Sequence, residues 1–67
     1  MTRAEALAMA PGTVVLSPWG ERFRVTGVNP RVEVIRAELV RPAEHGPDVE
    51  DVVWWDPRDL GGFEVLT

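Results

Sequence analysis

All eleven valines of this 67-residue chain lie at Val14 or beyond, and four of its six alanines lie within the first ten residues. Valine is stiff at its first side-chain torsion and suits a pleated surface, whereas alanine is the best helix former. The chain therefore divides near residue 11 into a helical arm, 1–12, and a strand-forming body, 13–67. Apolar residues make up 45% of the chain and charged residues 27%, a balance that belongs to a folded domain rather than a disordered one. There is no cysteine, so no disulfide staples the fold, and a thiolate zinc site or catalytic thiolate is excluded. Length alone rules out a large enzyme with its own cofactor domain.

In the arm, Thr2-Arg3-Ala4-Glu5 has capping-box spacing, which predicts a helix over 3–9 with Ala4, Leu7 and Ala8 on one face. Pro11-Gly12 stops it. In the body the first strand is expected over Thr13–Leu16, and Ser17-Pro18-Trp19-Gly20 reads as a turn. Arg22–Val28 alternates, with Phe23 and Val25 on one face, and Gly27 suggests a bulge or tight bend. After the Asn29-Pro30 turn, Val32–Arg41 is expected to be the longest strand. Its parity slips between Val32, Val34 and Ile35, Ala37, Leu39, which predicts a bulge near 34–35. Residues 42–48 are expected to form a polar loop, and Val49–Trp55 the fourth strand. Asp56 then caps a helical turn with Pro57 at its first position and Asp59 near its positive end. Gly61-Gly62 ends the turn before a short strand over Phe63–Leu66. The expected core is Phe23, Val25, Ile35, Leu39 and Val65, with either Val52 and Trp54 or Val53 and Trp55.

Five short strands with one helical turn between the fourth and fifth resemble the Src-homology-3-like barrels, and the adjacent Trp54-Trp55 is similar to the Trp pair of many Src-homology-3 domains. The resemblance covers residues 13–67 and implies a small five-stranded barrel with a helical turn before the last strand; with the arm, the expected fold is an all-β, small five-stranded Src-homology-3-like barrel with a short N-terminal helix. The Pro-rich peptide groove of those domains is built from tyrosines, and this chain has none. A second resemblance is to small uncharacterised bacterial and phage domains, through Gly12-Thr13-Val14-Val15 and the closing segment Leu60 to Leu66.

The net charge of −4 argues against a duplex-DNA binder with a general basic surface. The charge is unevenly spread: residues 1–41 carry six arginines against four glutamates, and residues 42–67 one arginine against seven acids. Arg22, Arg24, Arg31, Arg36 and Arg41 are expected on the second and third strands. With an adjacent Trp, such a face can hold single-stranded nucleic acid by stacking and phosphate contacts, Arg22, Arg24 and Arg36 being the candidates. The alternative is that the arginines pair with Glu21, Glu33 and Glu38 across the ladder.

Other chemistry finds little footing. His45 lies among Glu44, Asp48, Glu50 and Asp51, but one imidazole with scattered carboxylates does not make a converging metal site, so no metal and no cofactor is expected. Ser17, the sole serine, is explained by its turn, and Asp56 with Asp59 by the cap. No enzyme is expected. The apolar run Ala6–Ala10 is shorter than the roughly 7–15 residues of a signal-peptide core, and no stretch nears the roughly 20 of a membrane span, so a cytoplasmic protein is expected.

The three tryptophans are the most informative residues. Alternation sends Trp54 and Trp55 to opposite faces, and Trp19 sits in a turn where full burial is awkward. Either Trp19 lids one end of the barrel and the helix covers the outward Trp, or an exposed indole anchors an interface. The expected function is a non-catalytic binding or assembly module that contacts a protein partner or a second copy of itself through Trp19, Trp54 and Trp55. The alternative is a nucleic-acid-associated accessory protein.

Overall fold

The computed structural model describes residues 1–40 and 51–67. Helix α1 (Arg3–Leu7) precedes strands β1 (Val14–Leu16), β2 (Arg22–Asn29), β3 (Val34–Leu39) and β4 (Val52–Trp55), a 3₁₀ turn (Pro57–Leu60) and β5 (Glu64–Val65). The strands form one antiparallel sheet in the order β4-β3-β2-β1-β5, so β1 lies between β2 and the last strand. The class expected from the valine distribution is the one formed: a small all-antiparallel sheet, a short N-terminal helix and a helical turn before β5.

Register decides which side chains face inward. Val15 lies opposite Phe23, and Phe23 opposite Leu39. Val25 lies opposite Ala37, and Ala37 opposite Val53; Val28 lies opposite Ile35, and Ile35 opposite Trp55. Val15, Val25, Ile35 and Ala37 are completely buried in these rows. Burying each Val or Ile contributes on the order of 1.5–3 kcal/mol. The sheet curls over this face. Trp55, at one edge, meets Phe63, just ahead of β5 at the other, with ring centroids 5.0 Å apart, and Phe23 lies 5.0 Å from Trp55. Three rings from three parts of the chain thus draw the two edges together.

The arm covers one end. Glu5 N–H donates to Thr2 Oγ1 and Thr2 N–H to Glu5 Oε1, each at 3.1 Å, which is the expected capping box. α1 packs on the 3₁₀ turn, where Ala6 and Leu60 are both fully buried. The Met1 amino group donates to the carbonyls of Leu60, Gly61 and Phe63 at 3.1, 3.2 and 3.2 Å, tying the start of the arm to the segment between the 3₁₀ turn and β5.

Several expectations are corrected. α1 ends at Leu7 and buries Ala6, while Ala4 and Ala8 are exposed and Leu7 is half-buried. Alternating small residues define no apolar stripe, so the docking partner chooses the face. The bulge lies in β2, where register shifts between Val25 and Gly27 and leaves Thr26 over; β3 has none, and β2 is the longest strand. Val32 is not in β3. Residues 30–33 form a turn, closed by Arg31 N–H donating to Asn29 Oδ1 at 3.1 Å, with Glu33 at φ 55°. Val65 is 48% exposed because β5 is a two-residue edge strand; Phe63 and Leu60 fill its expected place in the core. Leu39 and Trp55 pack only partly buried against the core. The expected loop at 42–48, Arg41, and the start of the fourth strand at Val49 lie outside the described residues.

Candidate binding face

The choice left open by Val52-Val53-Trp54-Trp55 is settled by register. Val53 and Trp55 face the core, which puts Val52 and Trp54 on the outer face. Trp54 is 66% exposed and lies opposite Arg36, whose guanidinium sits 5.8 Å from the indole centroid. Thr26 of the bulge fixes that guanidinium: Arg36 Nη1 donates to Thr26 Oγ1 at 2.6 Å, and the hydroxyl donates to the Arg36 carbonyl at 3.3 Å. Arg36 also pairs with Glu38, two residues along the same face, at 3.4 Å. The bulge that interrupts the ladder therefore holds a cation beneath an exposed aromatic ring. A cation so placed contributes about 0.5–1 kcal/mol at an exposed site.

Beside this pair is an open groove of about 390 Å³, lined by Trp54, Arg36, Val34, Asn29 and Val32. Its lining is mostly apolar, and Val32 is 64% exposed within it. Val32 belongs to the expected third strand, Val32–Arg41. The turn instead carries it to the groove's rim.

The other arginines are arranged differently from the expected cross-strand neutralisation. Arg22 and Arg24 are exposed on the same outer face of β2, and among the described residues no carboxylate lies within ion-pair distance of either. Glu38 lies opposite Arg24 but pairs with Arg36; Glu33 pairs with Arg3; Glu21 accepts from the Trp19 indole N–H. Of the three expected carboxylates, Glu38 does pair with one of these arginines, Arg36, but along its own strand rather than across the ladder, and Glu21 and Glu33 are engaged elsewhere. Arg31 lies in the turn after β2.

The three tryptophans do not share a surface. Trp19 is 62% exposed at the β1–β2 turn, and its ring stands edge-on to Phe63 at 5.5 Å, so it belongs to the rim of the inner aromatic cluster. Trp55 is half-buried within that cluster. Trp54 alone is presented on the outer sheet face, and α1 packs on the 3₁₀ turn rather than over it.

The chain matches no known protein family, curated protein or solved structure.

Remaining polar groups have local duties. Ser17 is 3% exposed, and its hydroxyl accepts from Glu21 N–H at 2.9 Å, closing the β1–β2 turn. Asp56 accepts from Arg58 N–H at 2.9 Å and from its guanidinium at 3.1 Å, while Asp59 accepts from Asp56 N–H at 3.2 Å. The Arg58 side chain first, and its backbone N–H second, pull the Asp56 carboxyl down from 3.8 to about 2. Among the described residues no three His, Cys, Asp or Glu side chains are grouped to hold a metal ion, and His45, Glu44, Asp48 and Glu50 lie outside them. No helix among the described residues is long and apolar enough to cross a membrane.

Proposed function

We propose that this chain is a non-catalytic binding module of Src-homology-3-like build that docks a protein partner on its Trp54 face. One observation carries the reading: Trp54, a large apolar ring, is left 66% exposed beside an apolar groove while Arg36 and Thr26 hold its neighbourhood in place. Aromatic anchors of this kind dominate protein interfaces, and a ring held in position loses little freedom on binding. Strand order and the 3₁₀ turn between β4 and β5 support the Src-homology-3-like assignment. The absence of tyrosine separates this face from a Pro-rich peptide groove.

A random-peptide display selection on the immobilised protein tests the proposal. Binders are expected, and Trp54→Ala is expected to release most of them. A selection that yields no binders, or binders indifferent to Trp54→Ala, refutes it. Sedimentation at micromolar concentration shows whether a second copy is the partner.

Arg22 and Arg24, which have no carboxylate partner among the described residues, favour one second reading, a nucleic-acid-associated accessory protein that uses these residues with Arg36. A labelled oligonucleotide titrated at low salt distinguishes it, because phosphate binding falls steeply with added salt.

A further inference from the structure

We infer that the segment docking on the Trp54 face is acidic and extended, with carboxylates at every second position and an apolar side chain at one end. This rests on the proposed reading of that face as a protein-binding surface and names the chemistry of its partner.

The argument begins with the order of side chains across the sheet. Arg22 and Arg24 are two residues apart on β2 and share its outer face. Arg24 lies opposite Glu38, so Arg36 is its diagonal neighbour on β3, and Arg36 lies opposite Trp54 on β4. The steps are about 7 Å along a strand, about 7–8 Å on the diagonal and about 5 Å across a pair. The strip they make covers about 13 Å along the strands and about 10 Å across them, so its ends stand about 16 Å apart, the length of roughly five extended residues. Alternate side chains of an extended peptide face the same way at the same spacing as Arg22 and Arg24.

Charge gives the strip its preference. Among the described residues, three guanidinium groups stand on it against Glu38, and Glu38 is already paired with Arg36. Arg36 is oriented before anything binds, by Thr26 and by Trp54. A second copy laid face to face would set arginine against arginine, so this strip does not fit itself. A carboxylate-bearing segment meets it with opposite charge, and an apolar residue at its end reaches the groove between Trp54, Val32 and Val34.

Nucleic acid is the competing anion, and two features disfavour it. The strip has one aromatic platform, since Trp19 and Trp55 lie with the inner cluster, whereas single strands are held by successive stacked bases. The whole chain carries a net charge of −4, which repels a long polyanion more than a short acidic segment.

The test is fluorescence anisotropy on the full chain with a labelled probe, Glu-Ser-Glu-Ser-Glu-Ser-Leu, against the same probe with Lys for Glu, and against an oligothymidylate. The Glu probe should bind, the Lys probe should not, and affinity should fall about tenfold from about 0.05 to about 0.3 M salt. Arg22→Glu with Arg24→Glu should abolish binding, and the milder Arg22→Gln with Arg24→Gln should weaken it. Both residues are exposed, so native nitrogen–proton spectra are expected for either variant. In those spectra the Trp54 indole should shift with probe in the parent protein. Equal binding of the Lys probe, indifference to charge reversal, or tighter binding of the oligothymidylate would each overturn the inference. If the Glu probe fails while display-selected peptides still need Trp54, the acidic partner falls and the docking face stands. If neither binds, both fall.

Discussion

Leu60→Ala tests whether the arm and the 3₁₀ turn together form a structural lid. Leu60 is fully buried beneath α1, where Ala6 is also fully buried, and its own carbonyl accepts from the Met1 amino group at 3.1 Å. Truncation removes three carbons, worth about 0.8 kcal/mol each by transfer, and leaves a cavity that rigid neighbours fill poorly. The expected loss is about 3 kcal/mol, at the low end of buried Leu→Ala changes because α1 has only five residues and can shift to fill part of the space. A chain of this length has a total stability of roughly 3–10 kcal/mol, so the variant loses a third or more of it. In urea, with a slope of about 1 kcal/mol per molar, the midpoint should fall by about 3 M with the slope unchanged. A variant already unfolded in buffer is measured with added sucrose, which favours the compact state. Leu66→Ala is the control: Leu66 is 39% exposed and should cost less than about 1 kcal/mol. A Leu60→Ala midpoint within about 0.5 M of the parent would refute the lid, since a buried leucine cannot be removed at that cost.

Two further outcomes follow from local geometry. Gly20 holds φ at +92° with open space around a would-be Cβ, so Gly20→Ala should destabilise by about 1 kcal/mol through the backbone alone, whereas Gly27→Ala, with ordinary φ and equally open space, should be near neutral; equal urea midpoints for the two variants would contradict this. Asp56, drawn down to about 2 by Arg58, contributes stability that is full above about pH 4 and lost as pH falls toward 2, because the folded carboxyl resists protonation that the unfolded one accepts. Asp56→Asn should flatten the urea midpoint against pH in that window, and a profile parallel to the parent would count against the cap.

The parts of the fold legible in the sequence are those fixed within a few residues. Thr2 with Glu5, and Asp56, announce caps because a cap is a local hydrogen-bond exchange, and both form as expected; Asp59, expected only near the turn's positive end, also accepts from Asp56 N–H. Gly27, which suggests a bulge or a tight bend, marks the observed bulge for a similar reason. What could not be read depends on partners far along the chain. Val32 continues the parity of Val34, yet turns away, because nothing in the alternation says where a turn of four residues ends. Val65 looks like any inward valine until it is known that β5 is an edge. The Trp54–Trp55 choice had no local answer, since two valines and two tryptophans alternate equally well in either phase; the opposition of Ile35 and Trp55 decides it. The same holds for the candidate face: residue type names its members, but the engagement of Glu21 by Trp19, Glu33 by Arg3 and Glu38 by Arg36, which leaves Arg22 and Arg24 without a carboxylate partner among the described residues, is a property of the folded chain.

Trp54 and Trp55 give an internal comparison, two neighbouring residues of one chemistry with opposite duties. Trp55 stands edge-on to Phe23 and Phe63, each at 5.0 Å, and joins the two edges of the sheet. Removing it deletes these ring contacts along with apolar burial, and Trp55→Ala should cost about 3 kcal/mol, the lower end for buried aromatics because the ring is only half-buried. Trp54→Ala loses one exposed cation–π contact with Arg36 and should cost less than about 1 kcal/mol. Acrylamide should quench the Trp54 contribution to fluorescence far more than that of Trp55. If the two variants unfold at the same urea midpoint, then Trp54 serves the fold as Trp55 does, and its exposure no longer argues for a partner. If they differ as expected, the fold does not need the outer ring. The reason for placing so large an apolar group in water, beside an ordered arginine, then has to be sought in what binds there.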